Sequence, residues 1–90
     1  CEWFDRLNEL TGWNGQHAEN GGEFHIKELG YFLDYYEPTQ NVAIEWDEPH
    51  HKNFPEKDQF RQMEIEKFLK CKFIRIQTWN KIPDPKNILL

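Results

Sequence analysis

The chain has 90 residues, 38% of them hydrophobic, and a formal net charge of -5 at pH 7, which sets it at one small domain with a limited core. Seven Phe, four Trp and three Tyr enlarge that core, because each aromatic buries a large area. Two cysteines, Cys1 and Cys71, are too few for a disulfide framework and lack zinc spacing, and no apolar run reaches signal or membrane length, so an intracellular, reducing compartment is expected. The chain begins at Cys1 without a Met and stops after Ile88-Leu89-Leu90, so residues 1–90 are expected to be a single domain cut from something longer.

Trp3, Phe4, Leu7 and Leu10 recur at helical spacing and Gly12 is a stop signal, which predicts a first helix over Glu2 to Thr11. Trp13 to Gly22 is rich in Gly and Asn and reads as a loop, with His17 a solvated loop histidine. The stretch from Gly21 to His51 then organises the chain. Phe24 to Lys27, Tyr31 to Tyr36 and Val42 to Asp47 are β-rich runs bounded by Gly, Pro and Asn, the signature of a meander.

Side chains alternate across a sheet, so register decides which groups meet. With Leu29 and Gly30 as a two-residue loop, His25 faces Asp34 and Lys27 faces Phe32. With Pro38 to Asn41 as a four-residue loop, Asp34 also faces Glu45. Glu23, His25, Lys27, Asp34, Glu45 and Asp47 then share one face, and Phe24, Ile26, Leu33, Tyr35, Val42, Ile44 and Trp46 share the other. Like charges set opposite each other are destabilising, so Asp34 against Glu45 calls for a cation between them, for which a divalent metal is a natural candidate. The alternative is the ordinary wet face of an antiparallel sheet. An ordinary wet face mixes signs, whereas this one concentrates acids on neighbouring strands and runs into His50 and His51.

Beyond the meander, Asn53 to Glu56 offers a helix start, and a second helix runs to about Lys70 with Phe60, Ile65, Phe68 and Leu69 on one half of the cylinder. Arg61 falls within that half and needs a carboxylate partner, either Asp58 or an acid of the site. Structural ion pair and catalytic support are both open readings of it. Lys72 to Thr78 alternates as a fourth strand, parallel to the third because a helix connects them. Pro83 and Pro85 make a break before a short tail that starts a last helix. The order α-β-β-β-α-β describes a mixed sheet with helices packed on it, an α/β (α+β) domain.

Asp34, then Glu45-x-Asp47, then His51, then Asp58-x-x-Arg61, then Phe73-Ile74-Arg75-Ile76 resembles the nucleases related to the very-short-patch repair endonuclease, a branch of the PD-(D/E)xK superfamily. Gly21-Gly22-Glu23 and the His50-His51 pair resemble, more narrowly, the catalytic domain of the phage homing endonucleases whose core is written EDxHD. The match spans about Glu19 to Trp79. It implies a restriction-endonuclease-like αβββαβ core and metal-dependent hydrolysis of phosphodiester bonds in double-stranded DNA. Asp34 and Glu45 would hold Mg²⁺ or Mn²⁺, with the Trp46 carbonyl completing the shell. Glu23, Asp47, His51 and Asp58 would join them as catalytic positions, His51 as general acid or base, with His25, Lys27, His50 and Arg61 in support. The superfamily's usual lysine is replaced here by Asp47, in agreement with the narrower branch, where the histidine takes over part of that work; Lys27 is a stand-in. His25 is either a second imidazole of the site or only a cross-strand partner of Asp34.

The acidic balance runs against a nucleic-acid partner, which a basic patch usually serves. It is relieved if the acids are metal ligands and if a further DNA-recognition domain lies outside these residues. Repair or restriction nuclease, and a catalytically idle DNA-docking module of the same fold, are the alternatives. No membrane partner is expected.

Overall fold

In the computed structural model, which describes residues 2–49 and 55–88, the first helix α1 covers Glu2–Thr11, the span its sequence spacing predicts. It buries Phe4 and Leu7 against the sheet. Its end is set locally: the Gly12 N–H donates to the Asn8 carbonyl at 2.8 Å, with Gly12 at φ 75°, a left-handed cap that costs glycine little.

A short strand β1 (Gln16–His17) follows, then β2 (Phe24–Ile26), β3 (Tyr31–Leu33), β4 (Tyr35–Glu37), β5 (Val42–Asp47), helix α2 (Pro55–Leu69) and β6 (Lys72–Gln77), with a last 3-10 turn at Pro85–Asn87. One four-stranded sheet has the order β1-β4-β5-β6, and β2 with β3 forms a separate two-stranded hairpin. β4 pairs antiparallel and β6 parallel to β5, so the chain is a small α+β domain with a mixed sheet and two helices.

The register between β4 and β5 follows the four-residue loop, with Glu37 opposite Val42 and Tyr35 opposite Ile44. The hairpin differs from expectation. Residues 27–30 all lie in the turn, where both the Leu29 and Gly30 N–H groups donate to the Ile26 carbonyl, and Gly30 takes φ 75°. Pairing therefore shifts by two residues: His25 faces Phe32 rather than Asp34, and Ile26 faces Tyr31. Lys27 leaves the strand altogether.

The second expected run, Tyr31 to Tyr36, is also two strands instead of one. It breaks at Asp34, and the chain passes from the hairpin to the main sheet, which reassigns the faces. Phe4, Leu7, Tyr35, Val42, Ile44 and Ile76 form the core under α1. Ile26, Leu33, Tyr36, Ala43 and Ile65 form a second core on the α2 side. Ile26 and Leu33 thus lie on the same side as Glu45, not opposite it, and that side is covered by α2 and the hairpin. The alternative reading, an ordinary wet face, is overturned: Glu45 is 5% exposed and Asp47 4%.

α2 contributes less apolar surface than its sequence suggests. Ile65 is buried and Leu69 half-buried, but Phe60 and Phe68 remain exposed. The loop reading of His17 is likewise corrected. β1 pairs with β4, so His17 is fully buried, its Nε2 2.9 Å from Asp5 Oδ1. Among the described residues no helix is long and apolar enough to cross a membrane.

Candidate active site

Asp34 occupies the bend between β3 and β4, where a polar side chain can replace missing ladder bonds. Its N–H donates to Glu45 Oε2 at 3.1 Å, and its own Oδ2 accepts from the Trp46 N–H at 2.7 Å. The two acids are thus tied to each other's strand. Glu23, at the entry to β2, joins them: a hydrogen bond to the Asp34 side chain, then burial and the Asp34 charge, raise its carboxyl above the usual range against the pull of Arg61. Burial pushes Glu45 up to about 7; Arg61 opposes this and the Asp34 charge adds to it.

Arg61 and Arg75 supply the positive charge. Arg61 Nη1 pairs with Glu45 Oε1, while Nη2 donates to the Phe32 carbonyl and the guanidinium lies 5.3 Å from the Tyr31 ring centroid. The expected need of Arg61 for a carboxylate is met by Glu45 rather than Asp58. Arg75 Nη1 donates to both Asp47 oxygens, at 2.8 and 3.0 Å. Its Nε reaches Gln62 Oε1 at 2.6 Å and its Nη2 the Asp58 carbonyl at 3.3 Å. Arg75 therefore ties β5, β6 and α2 together.

These groups enclose a cleft of about 280 Å³ lined by Phe32, Asp34, Glu45, Asp47, Asp58, Arg61 and Arg75. Five residues singled out from the sequence, Asp34, Glu45, Asp47, Asp58 and Arg61, thus meet in one place, with Glu23 beside them. His25 and Lys27 do not join them. The two-residue shift in the hairpin stacks the exposed His25 ring on Phe32, centroids 4.3 Å apart and 9° from parallel, and the exposed Lys27 sits in the turn, outside the cleft lining. The assignments to His50 and His51 lie outside the described residues.

Arg75, which lines the cleft, and Gln62, which holds it, are the residues that sequence reasoning missed as partners. Strand parity carries Arg75 to the side of Glu45 and Asp47, but its position depends on the parallel register that sets Glu45 beside Arg75. A third buried acid, Glu37, also escaped notice. It is 2% exposed and accepts the backbone N–H groups of Asn14, Thr39 and Gln40. Burial alone would raise its carboxyl, but those three donors outweigh it and hold it below the usual range.

An all-oxygen donor set suits a hard divalent cation. Burial first and the Asp34 charge after it raise Glu45, and a hydrogen bond to Asp34 is the main cause of the rise at Glu23, with Arg61 opposing the rise at both. A cation bound by Asp34 and Glu45 would favour the charged form of these carboxyls. Among the described residues, however, no three His, Cys, Asp or Glu side chains converge as a complete ligand set. Compared with known protein families, curated proteins and solved structures, the chain finds no match.

Proposed function

We propose that this domain is the catalytic domain of a metal-dependent DNA endonuclease, hydrolysing phosphodiester bonds on a restriction-endonuclease-like αβββαβ core, and that it belongs to a phage homing endonuclease acting inside a bacterial host. The observation that carries the reading is the meeting of Asp34 and Glu45 through reciprocal backbone bonds in an open cleft. On this reading the two carboxylates hold Mg²⁺ or Mn²⁺, which when bound polarises the phosphoryl oxygen and lowers the pKa of a coordinated water. Glu23 serves as an accessory acid beside Asp34. Arg61 faces the same cleft and is positioned to neutralise a phosphate once Glu45 releases it. Asp47, clamped by Arg75, fixes the floor of the cleft. His51 is assigned the proton transfer, since a hard cation prefers the carboxylate oxygens and leaves an imidazole free.

A plasmid-nicking assay with Mg²⁺ or Mn²⁺ against EDTA tests this reading. The 90-residue chain is expected to nick in the presence of the ion and not in EDTA, with Asp34→Asn and Glu45→Gln each reducing the rate about 100-fold or more. Equal cleavage in EDTA, or by both variants, refutes it.

A second reading is favoured by a specific observation: Arg61 and Arg75 already neutralise Glu45 and Asp47. On this reading the domain is a catalytically idle DNA-docking module of the same fold. DNA retention on a gel without cleavage under any divalent ion selects it.

A further inference from the structure

Helix α2 carries a second feature that the cleft does not use. Phe60 and Met63 are 58% and 59% exposed, and Glu56 and Lys67 at the ends of the same stripe are exposed as well. Glu56, Phe60, Met63 and Lys67 follow one another at spacings of four, three and four residues, the spacing of a seam between packed helices. Ile65, which anchors α2 to the sheet, lies about 140° around the cylinder from Phe60 at helical periodicity. The stripe therefore points away from the core.

The stripe is self-complementary. From its N-terminal end it reads acid, aromatic, thioether, base; an antiparallel copy reads the reverse. A two-fold axis between Arg61 and Gln62 sets Phe60 against Met63 of a second copy, a favourable sulfur–aromatic pairing. The same axis sets Glu56 against Lys67 at both ends. A parallel pair would instead oppose Glu56 to Glu56 and Lys67 to Lys67, which is repulsive.

The flanks of the helix agree with this arrangement. A groove of about 480 Å³ lies at its N-terminal end, lined by Tyr31, Glu56, Lys57, Phe60 and others. Phe68, 45% exposed, stands at its C-terminal end beside Leu29. Antiparallel docking brings Phe68 of each copy to the N-terminal end of the other's helix, where the groove lies. Knob and groove sit at opposite ends of one helix, as a two-fold contact requires.

We propose that α2 is the seam of an antiparallel homodimer of this chain, with Phe60 and Met63 at its centre and two Glu56–Lys67 ion pairs at its ends. The surface is small, so the dimer is a weak one. The inference is independent of the nuclease reading.

Sedimentation equilibrium of the 90-residue chain over a wide concentration range tests it. A reversible monomer–dimer equilibrium is expected, and Phe60→Glu should weaken it by about tenfold or more, as loss of a central aromatic anchor does. Glu56→Lys and Lys67→Glu should each weaken the dimer, and the two substitutions in one chain should restore it, because the swapped charges again meet in the antiparallel register. All these side chains are exposed, so circular dichroism and melting temperature of each variant should match the parent. A chain that is monomeric at every concentration overturns the proposal, as does assembly that continues past two copies. A double swap that fails to restore dimerisation overturns it too.

Discussion

Replacing Glu45 with Gln tests the electrostatics of the cleft without assuming any activity. Burial raises the Glu45 carboxyl from 4.5 in the unfolded chain to about 7. A group raised in this way binds a proton in the folded state that the unfolded state has released. The domain should therefore be most stable below about pH 4.5 with respect to this residue, and should lose that stability as pH rises through about 7. Two and a half pH units at about 1.4 kcal/mol each set a ceiling of about 3.5 kcal/mol on the loss. Gln has the same shape, keeps an acceptor for the Asp34 N–H and carries no charge to desolvate.

That ceiling already includes the attraction of Arg61, which holds the Glu45 carboxyl lower than burial alone would set it. Solvent at the Arg61 side chain, 23% exposed, screens the site and reduces the ceiling by about half. Glu45→Gln should then be more stable than the parent by about 1 to 2 kcal/mol at pH 8, an increase of several degrees in Tm for a domain of this size. Near pH 5, where Glu45 is protonated in the folded state, the advantage should vanish or reverse. Urea unfolding of both proteins at the two pH values, in EDTA, measures the difference. A variant less stable than the parent by the same amount at both pH values would show that Glu45 is a satisfied ion-pair partner, and the argument that burial disfavours its charged form would fail. On the nuclease reading, adding Mg²⁺ at pH 8 should stabilise the parent and leave the variant unchanged, because only a ligand that binds the folded state shifts its stability.

Glu37→Gln should cost about 2 to 3 kcal/mol at neutral pH, since a neutral amide replaces a buried carboxylate that accepts three backbone N–H groups. Because the folded pKa of Glu37 lies below 4.5, the parent should hold this contribution above pH 4.5 and lose it as pH falls through the folded value, while the variant shows no such acid loss in urea titrations. Gly15→Ala should destabilise by about 3 kcal/mol or more. An added Cβ would lie 1.8 Å from the Tyr35 ring, and that fully buried ring is held by a hydrogen bond from its hydroxyl to Asn8 Oδ1 at 2.7 Å; a melting temperature within a few degrees of the parent would contradict this. On the nuclease reading, His51→Ala should reduce cleavage by about 10² to 10⁴ with Tm and Mg²⁺ affinity unchanged, and His50→Ala should do less. Equal losses from the two substitutions would remove His51 from the chemical step.

The elements were legible wherever period and punctuation agreed. α1, the β4–β5 turn and the parallel β6 follow from Gly12, from Pro38 to Asn41, and from the alternation around Arg75. The burial of the acids was not legible, because it depends on a bend rather than on a strand. A continuous run from Tyr31 to Tyr36 keeps Leu33 and Tyr35 on one face, and that parity makes the Glu45 face look wet. Asp34 breaks the run by bonding the backbone of β5, so Leu33 and Tyr35 enter different cores. The contact between Asp34 and Glu45 survived this error because the β4–β5 register alone determines it. The one between His25 and Asp34 did not, since it needed a two-residue hairpin loop.

The cleft contrasts a fixed cation with a releasable one. Arg75 is held by Asp47, Gln62 and the Asp58 carbonyl, and breaking those bonds would disturb three elements at once. Arg61 is held by one carboxylate whose own ionisation is disfavoured and by one carbonyl at the cleft rim. Four acids line the cleft against these two arginines, so a phosphate approaching it meets net repulsion. On the nuclease reading a divalent ion reverses this: it takes over the charge of Glu45 and frees Arg61 to face the phosphate. The acidic composition that argues against DNA as a partner then becomes a condition on binding. Affinity for DNA should rise with divalent ion even in His51→Ala, where cleavage is reduced and the metal ligands are intact, and should not rise when Arg61 is replaced by Met. A filter-binding titration with and without Mg²⁺ measures both arms, and ion-independent affinity in the parent would leave the cleft with no part in DNA binding.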